Sequence, residues 1–272
     1  MCLLLLAYRA HPDVELLLAG NRDEFYRRQA KPPGLIYRQP RIFAGQDLEA
    51  GGTWMGENEH GLVAALTNRR VAGAAAPPEA RSRGEIVLGL LRHAAPGEAA
   101  SWLERLPHAQ FRPYSVLFGN RERFYFFSPQ DGALLRPLEP GFYSLSNSTL
   151  NDRTWPKVER ALEFLERHRA QPGTRLLEDL QRFLCDATPA AGAPSLDLAE
   201  ELRGATGAVF IRTQAYGTVS SSIITLGGKL GSRYYFAERQ AMQEADAGWR
   251  GGGAGPGPFR LLETELQAHP VT

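Results

Sequence analysis

The chain begins Met1-Cys2-Leu3-Leu4-Leu5-Leu6-Ala7-Tyr8, a cysteine at the second position followed directly by an apolar run. Because the residue after the initiator methionine is small, we expect Met1 to be removed and Cys2 to be left with a free α-amine. The ordinary pKa of an α-amine is roughly 7.7–8 and that of a thiol roughly 8.5. Near neutral pH the amine can therefore take the thiol proton and activate the sulfur. A small second residue is common, so this signal needs support from the rest of the chain.

A second apolar run, residues 14–19, follows the turn residues His11-Pro12-Asp13. Two apolar runs joined by such a turn predict an antiparallel hairpin. If the turn is centred near Pro12, the numbers of paired residues sum to about 24. This register places Cys2 opposite Arg22 or its neighbour.

Four consecutive polar residues, Asn21-Arg22-Asp23-Glu24, follow the second apolar run. Side chains alternate along a strand, so Arg22 and Glu24 share one face while Asn21 and Asp23 share the other. A one-residue slip leaves open which pair meets the cysteine. Such a run is longer than a strand end requires, although a solvated end with an internal Arg–Asp pair explains it equally well.

Composition restricts the classes of function. The chain has 272 residues, 43% of them hydrophobic and 22% charged, as in an ordinary globular protein that can bury a sizeable core. Its formal net charge is +1 and its Lys and Arg residues are scattered, which argues against nucleic acid or an anionic membrane as partner and favours a small molecule. Two cysteines, Cys2 and Cys185, give no disulfide framework, so we expect a reducing, cytoplasmic location.

The opening apolar run does not predict a signal peptide. It is short, no basic segment precedes it, and Arg9 and Asp13 follow closely. Nothing elsewhere approaches the apolar length that spans a membrane. We therefore interpret the run as a buried strand.

The remaining pattern predicts one α+β domain over residues 1–245. Strands are expected mainly toward both ends of the chain and helices in the middle, which favours stacked sheets with outer helices. We expect further strands at 51–56, 62–68, 114–118, 123–127, 141–148, 208–212, 216–226 and 233–239 and helices at 83–94, 98–106, 155–169 and 174–185. Residues 31–47 predict a proline-rich loop that could cover a site, residues 246–258 a flexible Gly-rich segment and residues 259–272 a C-terminal tail.

Two asparagines stand at the ends of predicted strands. Asn68 follows an apolar run before Arg69-Arg70, and Asn147 lies in a polar run after another strand. A carboxamide in such a place can donate a hydrogen bond to an oxyanion. Asparagine is equally common at strand ends for reasons of turn geometry, and both interpretations stay open.

Cys2 together with Asn21-Arg22-Asp23-Glu24 resembles the NRDE family, also called the transport and Golgi organisation family. The resemblance extends over most of the chain. The matching motifs are Gly51-Gly52-Thr53-Trp54, Asn58-Glu59-His60-Gly61-Leu62, Leu66-Thr67-Asn68-Arg69, Leu145-Ser146-Asn147-Ser148 with Trp155-Pro156-Lys157, and Tyr216-Gly217-Thr218. That family resembles the N-terminal nucleophile hydrolases of the penicillin acylase and choloylglycine hydrolase type, which implies a four-layer αββα sandwich.

The resemblance also implies roles for catalytic residues. Cys2 matches the nucleophile, and Asn68 and Asn147 match amides that form the oxyanion hole and orient the α-amine. Arg22 and Asp23 resemble the Arg and Asp that hold the nucleophile, although those hydrolases separate the two residues. Val219 stands where relatives usually have Arg after Tyr-Gly-Thr.

Three further residues are expected to bind the substrate, namely Asn21, Glu24 and Trp54. The leading hypothesis is a cysteine hydrolase that cleaves an amide or ester bond and needs no metal or cofactor. The alternative is a non-catalytic carrier for a hydrophobic ligand such as haem or an acyl-lipid, with Trp54, Phe25 and Tyr26 lining its pocket. A thiol redox protein is disfavoured because Cys2 has no resolving cysteine near it in sequence.

Overall fold

The computed structural model describes residues 2–71, 73, 77, 79–190, 207–239, 259–262 and 266. The chain divides into two compact units whose segments alternate along the sequence. The first unit contains Met1–Arg27, Gly141–Ser146 and Asn151–Glu263, and the second contains Arg28–Pro140, Asn147–Leu150 and Thr264–Thr272. The single domain expected over residues 1–245 stays a prediction.

The described residues form antiparallel sheets and α-helices. In chain order the elements are β1 (Leu3–His11), β2 (Val14–Phe25), β3 (Ala30–Arg38), β4 (Arg41–Asp47), β5 (Met55–Asn58), β6 (Val63–Asn68), α1 (Gly84–Leu90), α2 (Pro96–Glu104), β7 (Tyr114–Gly119), β8 (Phe124–Phe127), β9 (Arg136–Pro137), β10 (Gly141–Leu145), α3 (Pro156–Arg167), α4 (Gly173–Leu184), β11 (Tyr216–Leu226), β12 (Arg233–Glu238) and β13 (Arg260–Leu262).

The first unit is built on an antiparallel sheet with the strand order β10-β1-β2-β11-β12-β13. Its hairpin confirms the predicted register, because Leu3 pairs with Asn21 and Ala7 pairs with Leu17. Continuing this register by one pair places Cys2 opposite Arg22. The start of the chain therefore lies beside the polar run of β2.

Two amphipathic helices, α3 and α4, cover one face of this sheet. Their apolar residues recur at helical spacing and pack against the odd-numbered residues of β1 and β2. This core includes Leu3, Leu5, Leu17, Ala19, Val158, Ala161, Leu162, Leu165, Leu176, Leu177, Leu180 and Leu184. The odd-numbered face of β1 and β2 is thus the helix side, and even-numbered residues point to the opposite side.

The polar run of β2 lies inside a strand and its first three residues are buried, so the alternative of a solvated strand end does not hold. β2 continues to Phe25 because β11 pairs with it along this length. Asn21 lies opposite Ser221, and Asp23 lies opposite Thr218. Backbone pairing with β11 extends the strand through the polar run, and β1 pairs with it as far as Asn21.

The second unit is an antiparallel meander in which β3 to β9 lie side by side in chain order. Helices α1 and α2 pack on the face that carries Ala64, Leu66 and Val116. Helices α1 to α4 all lie in the middle of the chain, as expected, and β7 to β10 lie between them in sequence. The pattern of short strands separated by turns still gives an α+β protein.

Two local predictions were wrong for identifiable reasons. Residues 31–47 form β3 and β4 rather than a loop, because an edge strand tolerates Pro32 and Pro33 where its register shifts. Residues 208–212 are not a strand, and Arg212 makes an isolated bridge to Gly217. The amides there have other acceptors, since Phe210 donates to the Asp186 carbonyl.

Two further segments were named from the sequence. Residues 246–258, expected to be a flexible Gly-rich segment, lie outside the described residues. Within the expected C-terminal tail, Arg260–Leu262 pairs with β12 as β13. Among the described residues, no helix combines the length and apolarity needed to cross a membrane.

Gly89 should be intolerant of a side chain because α1 packs closely on α2. A Cβ there would approach the Trp102 ring at 1.9 Å, whereas one at Gly97 would meet nothing within 4 Å. We expect Gly89→Ala to lower the free energy of unfolding by about 1–3 kcal/mol. Gly97→Ala, the matched control, should leave it unchanged or raise it by up to about 1 kcal/mol. Urea denaturation of both variants tests this, and equal effects would contradict it.

Candidate active site

Cys2 is a half-buried free thiol at the start of β1. Its carbonyl oxygen accepts a hydrogen bond of 3.0 Å from Ser146 Oγ. Leu3 points toward the helices, so strand alternation directs Cys2 to the opposite face of the sheet. Arg22 is even-numbered and belongs to the same face. The structure thus resolves the open register: within the polar run, Arg22 and Glu24 share the face of the cysteine.

Arg22 lies next to an irregularity in the neighbouring strand. Thr218 pairs with Asp23 and Ser220 pairs with Arg22, which leaves Val219 as an extra residue between them. In such a bulge two residues face one residue of the partner strand, so Val219 and Ser220 both lie opposite Arg22. The Arg22 side chain is 6% exposed. This face therefore combines a buried cation with a short apolar side chain.

Asn21 points to the helix side and is used within the fold. Its Nδ2 donates to the carbonyls of Leu184 and Val209, each at 2.9 Å, and its Oδ1 accepts from Ser221. Both amide hydrogens are therefore bonded to backbone. This geometry makes Asn21 a link between β2, β11 and the end of α4 rather than a substrate contact.

Asp23 also points to the helix side. Its Oδ1 accepts a hydrogen bond of 2.6 Å from Thr218 Oγ1, and Lys157 Nζ lies 3.5 Å from its Oδ2. Both charged side chains are fully buried. These two contacts of Asp23 thus support β2 from behind the face of the cysteine.

Lys157 received no role from the sequence, although a signal for it was present. It lies in the first turn of α3 at the helical spacing of the buried residues Ala161 and Leu165. A lysine at an apolar position of a helix needs a buried partner. That requirement could have flagged Lys157, while its partner in β2 was too remote in sequence to identify.

Glu24 follows as the last residue of the polar run. It is half-buried, lies opposite Gly217, and accepts a hydrogen bond of 2.9 Å from the amide of Phe25. By alternation its side chain starts on the same face as Arg22. Contact between Glu24 and a substrate stays a prediction.

The two asparagines from distant parts of the sequence meet in the second unit. Asn147 Nδ2 donates to the Asn68 carbonyl at 2.6 Å, and the Arg70 amide donates to the Asn147 carbonyl at 2.9 Å. Asn147 is buried and Asn68 is half-buried at the end of β6. The structure therefore brings together the two residues that the sequence selected as carboxamide donors.

Trp54, an expected substrate contact, is half-buried against β4. A Cβ added at Gly45 would come within 2.4 Å of the Trp54 ring, so the indole lies directly on that glycine. Contact with a substrate stays a prediction. Among the described residues, no group of three or more His, Cys, Asp or Glu side chains could hold a metal ion.

Glu57 is a buried titratable residue that the sequence analysis did not select. It lies in β5 between Phe43 and Val63 on the neighbouring strands and is 4% exposed. Burial raises the pKa of its carboxyl to about 8. Glu57 is therefore largely protonated at neutral pH.

Comparison with known proteins identifies relatives along nearly the whole chain. The family model described as Transport and Golgi organisation 2 matches residues 1–243. The Transport and Golgi organization 2 homolog of Mus musculus is 26% identical over 274 residues, and the homolog of Homo sapiens is 27% identical over 274 residues. Each match covers 92% of this chain and 96% of the relative.

Two solved structures with a similar fold are named as a hydrolase and an acid amidase. A variant of the conjugated bile acid hydrolase from Clostridium perfringens has a TM-score of 0.54 at 9% identity, covering 97% of this chain and 98% of that one. The Caenorhabditis elegans N-acylethanolamine-hydrolyzing acid amidase ortholog has a TM-score of 0.50 at 13% identity, covering 82% and 92%. This likeness confirms the predicted αββα fold class of the N-terminal nucleophile hydrolases.

Removal of the Lys157 ammonium should destabilise the first unit strongly. In Lys157→Met the buried Asp23 carboxylate loses the ammonium that lies 3.5 Å from its Oδ2, and we expect the free energy of unfolding to fall by about 3–5 kcal/mol. Lys229 is the matched control, since it is 81% exposed and pairs with Asp13 at the surface. Lys229→Met should have a much smaller effect in the same denaturation experiment. Equal losses in the two variants would show that the buried Lys157–Asp23 pair contributes no more to the free energy of unfolding than the surface pair does.

Glu57 should make stability depend on pH. The unfolded carboxyl loses its proton above about pH 4.5 and the folded one above about pH 8, so the folded state binds more protons across this range. The Glu57 contribution to the free energy of unfolding should therefore fall by up to about 5 kcal/mol as pH rises from about 4.5 to about 8. When denaturation is measured across this pH range, the free energy of unfolding of Glu57→Gln should change less with pH than that of the wild type. Glu104→Gln, at an exposed carboxylate, should keep the wild-type slope.

Proposed function

The chain belongs to the Transport and Golgi organisation 2 family, and we propose that it is a cysteine N-terminal nucleophile hydrolase. Its nucleophile is Cys2 after removal of Met1, and its substrate is a small molecule with a carbon–nitrogen or ester bond. The observation that carries the proposal is the pairing of β1 with β2, which gives a half-buried thiol at the start of the chain the same sheet face as a buried arginine.

The reaction needs one residue to act as base and nucleophile. The α-amine of Cys2 takes the thiol proton, and the sulfur attacks the carbonyl carbon to form a tetrahedral oxyanion. Collapse breaks the carbon–nitrogen or carbon–oxygen bond, and the ammonium returns the proton to the leaving group. Water, activated by the same amine, then hydrolyses the thioester and restores the thiol.

Four other residues have proposed roles in this reaction. Asn68 and Asn147 supply oxyanion donors, each worth about 3–4 kcal/mol in comparable sites. Arg22 supplies a buried positive charge on the sheet face that carries Cys2. Asp23 acts from the helix side, where its bonds to Thr218 and Lys157 hold β2 in place.

Val219 indicates which kind of substrate group would lie beside Arg22. Beside Arg22 it presents a short apolar side chain where the family pattern has Arg, so we propose that an uncharged part of the substrate lies there. Glu24 and Trp54 remain candidates for substrate contacts. Two structural neighbours are named as a conjugated bile acid hydrolase and an N-acylethanolamine-hydrolyzing acid amidase, which supports an amide as the bond to test first.

The compartment follows from the chemistry of the thiol. A terminal cysteine that must stay reduced requires a reducing environment, and we propose the cytosol. The scattered basic residues support a small-molecule partner rather than nucleic acid.

The alternative function is a carrier for a hydrophobic ligand such as haem or an acyl-lipid. The family description names transport. Phe25 supports this alternative, because its ring is 44% exposed and packs edge-to-face on Tyr216. A carrier would bind its ligand equally well after replacement of Cys2.

The thiol at residue 2 should be processed, reactive and essential. We expect intact mass to show loss of Met1 and iodoacetamide to label Cys2 before Cys185, which is 3% exposed and packs on Phe210 and Ala237. Cys2→Ser should abolish turnover in a panel of N-acyl amides and esters because serine lacks an acidic thiol. Cys185→Ala is the matched control and should retain turnover.

Two results would contradict this function. Retention of Met1 in the purified protein would exclude the α-amine of Cys2 as base. Wild-type turnover by Cys2→Ser would exclude the thiol as nucleophile. If Cys2→Ser binds haem or acyl-CoA, and neither this variant nor the wild-type protein turns over any substrate of the panel, the result would support the carrier function.

A further inference from the structure

Asp131 joins two segments of the second unit that are remote in sequence. It ends a single turn of 3-10 helix, Pro129–Asp131, between β8 and β9. Arg69 makes a bidentate contact with its carboxylate, from Nη1 to Oδ2 and from Nη2 to Oδ1, each 2.7 Å. Thr149 Oγ1 donates to Oδ2 at 2.8 Å. One carboxylate therefore holds residues from the end of β6 and from the segment after β10.

Both partners of Asp131 are close in sequence to the paired asparagines. Arg69 follows Asn68 directly, and Thr149 lies two residues after Asn147. The same segments are also linked by the bond from Asn147 Nδ2 to the Asn68 carbonyl. The two segments are therefore linked at two points, by the Asn147–Asn68 bond and by the bonds of Asp131 to Arg69 and Thr149. Movement of Asn147 relative to Asn68 would have to break one of these links.

The Asp131 turn is itself fixed to the sheet. Ser128 Oγ donates to the Tyr114 carbonyl at 2.7 Å, and the Tyr114 amide donates to Gln130 Oε1 at 3.3 Å. Tyr114 is the residue of β7 that pairs with Asn68. Asp131 is thus anchored to the strand next to Asn68, which makes it a rigid reference point for the segment of Asn147.

The carboxylate of Asp131 is ionised when it makes these bonds. Burial alone would raise its pKa, but the hydrogen bonds from Arg69 and Thr149 outweigh burial and hold the pKa below its usual range. The Arg69 side chain is 13% exposed and Asp131 is 29% exposed. A two-bond arginine–carboxylate contact in such surroundings fixes geometry more firmly than a solvated ion pair does.

We infer that Asp131 is a positioning residue for the carboxamide of Asn147. The inference rests on the proposed function, in which Asn147 donates to the oxyanion. Asp131 does not touch the reacting atoms and acts through Thr149 and Arg69. Loss of its charge removes the ionised acceptor that Thr149 and Arg69 share, so the segment that carries Asn147 can shift, and a displacement of about 1 Å can slow a reaction by roughly a hundredfold.

Two reactions of Cys2 separate positioning of the oxyanion donor from reactivity of the thiol. With p-nitrophenyl acetate the sulfur forms a bond to the carbonyl carbon, an oxyanion develops, and p-nitrophenolate leaves. With iodoacetamide the sulfur displaces iodide from a CH₂ carbon, and no oxyanion develops. We expect Asp131→Asn to slow acylation of Cys2 at least about tenfold and to leave the alkylation rate at the wild-type value.

Milder variants test the same link if Asp131→Asn does not fold. Thr149→Val removes one hydroxyl with little change in shape and should slow acylation alone, while Thr149→Ser keeps the hydroxyl and should restore it. Glu104→Gln, at an exposed carboxylate outside this cluster, is the matched control and should keep both rates. Mass spectrometry of the labelled peptide assigns each reaction to Cys2.

Each result decides the inference. Slower acylation with unchanged alkylation supports it. Unchanged acylation in both Asp131→Asn and Thr149→Val overturns it while the proposed function stands, and a parallel fall of both rates overturns it by showing a general effect on the thiol. If wild-type Cys2 itself is alkylated but not acylated, the proposed function fails and the inference fails with it.

Discussion

The first unit depends on backbone pairing of β2 with a strand on each side. Between Gly20 and Phe25 this strand carries polar side chains in the interior, where unpaired amides and carbonyls would be costly. β11 pairs with β2 along this length and β1 pairs with it as far as Asn21, so strand partners take up backbone hydrogen-bonding groups of the polar run. Strand alternation then gives successive residues opposite tasks: Asn21 and Asp23 secure the strand to the helix side, and Arg22 is presented on the other face.

On the helix side of β2, several contacts stabilise the buried charges of Asp23 and Lys157. Lys157 and Asp23 are both removed from water, a cost that their attraction offsets only when the remaining polar atoms are satisfied. Thr218 contributes to that satisfaction, since its hydroxyl donates to Asp23 and accepts from the Ile211 amide. The Ser221 hydroxyl likewise donates a hydrogen bond to Asn21 Oδ1. A polar network of this kind fixes one arrangement of strand and helix, because a shifted register would leave several groups unpaired.

What the sequence reveals depends on whether the partners of a residue are local. The register of β1 and β2 followed from one turn and two apolar runs, and Asn68 and Asn147 were selected because each stands at or just after the end of an apolar strand pattern. Lys157 and Asp131 have partners more than sixty residues away, and no local pattern encodes such distances. β3 was missed because its prolines resemble a loop, while its place at a sheet edge, which makes them tolerable, is a property of the whole sheet.

The order of strands in the first sheet has a consequence for biosynthesis. β1 and β2 leave the ribosome before their outer neighbours β10 and β11, which begin at Gly141 and Tyr216. At about 5–20 residues per second, β11 emerges roughly 10–40 s after β2. A lone hairpin is only marginally stable in water during that interval. The hairpin that carries Cys2 and Arg22 therefore waits for its outer strands, and the sheet around these residues is completed late.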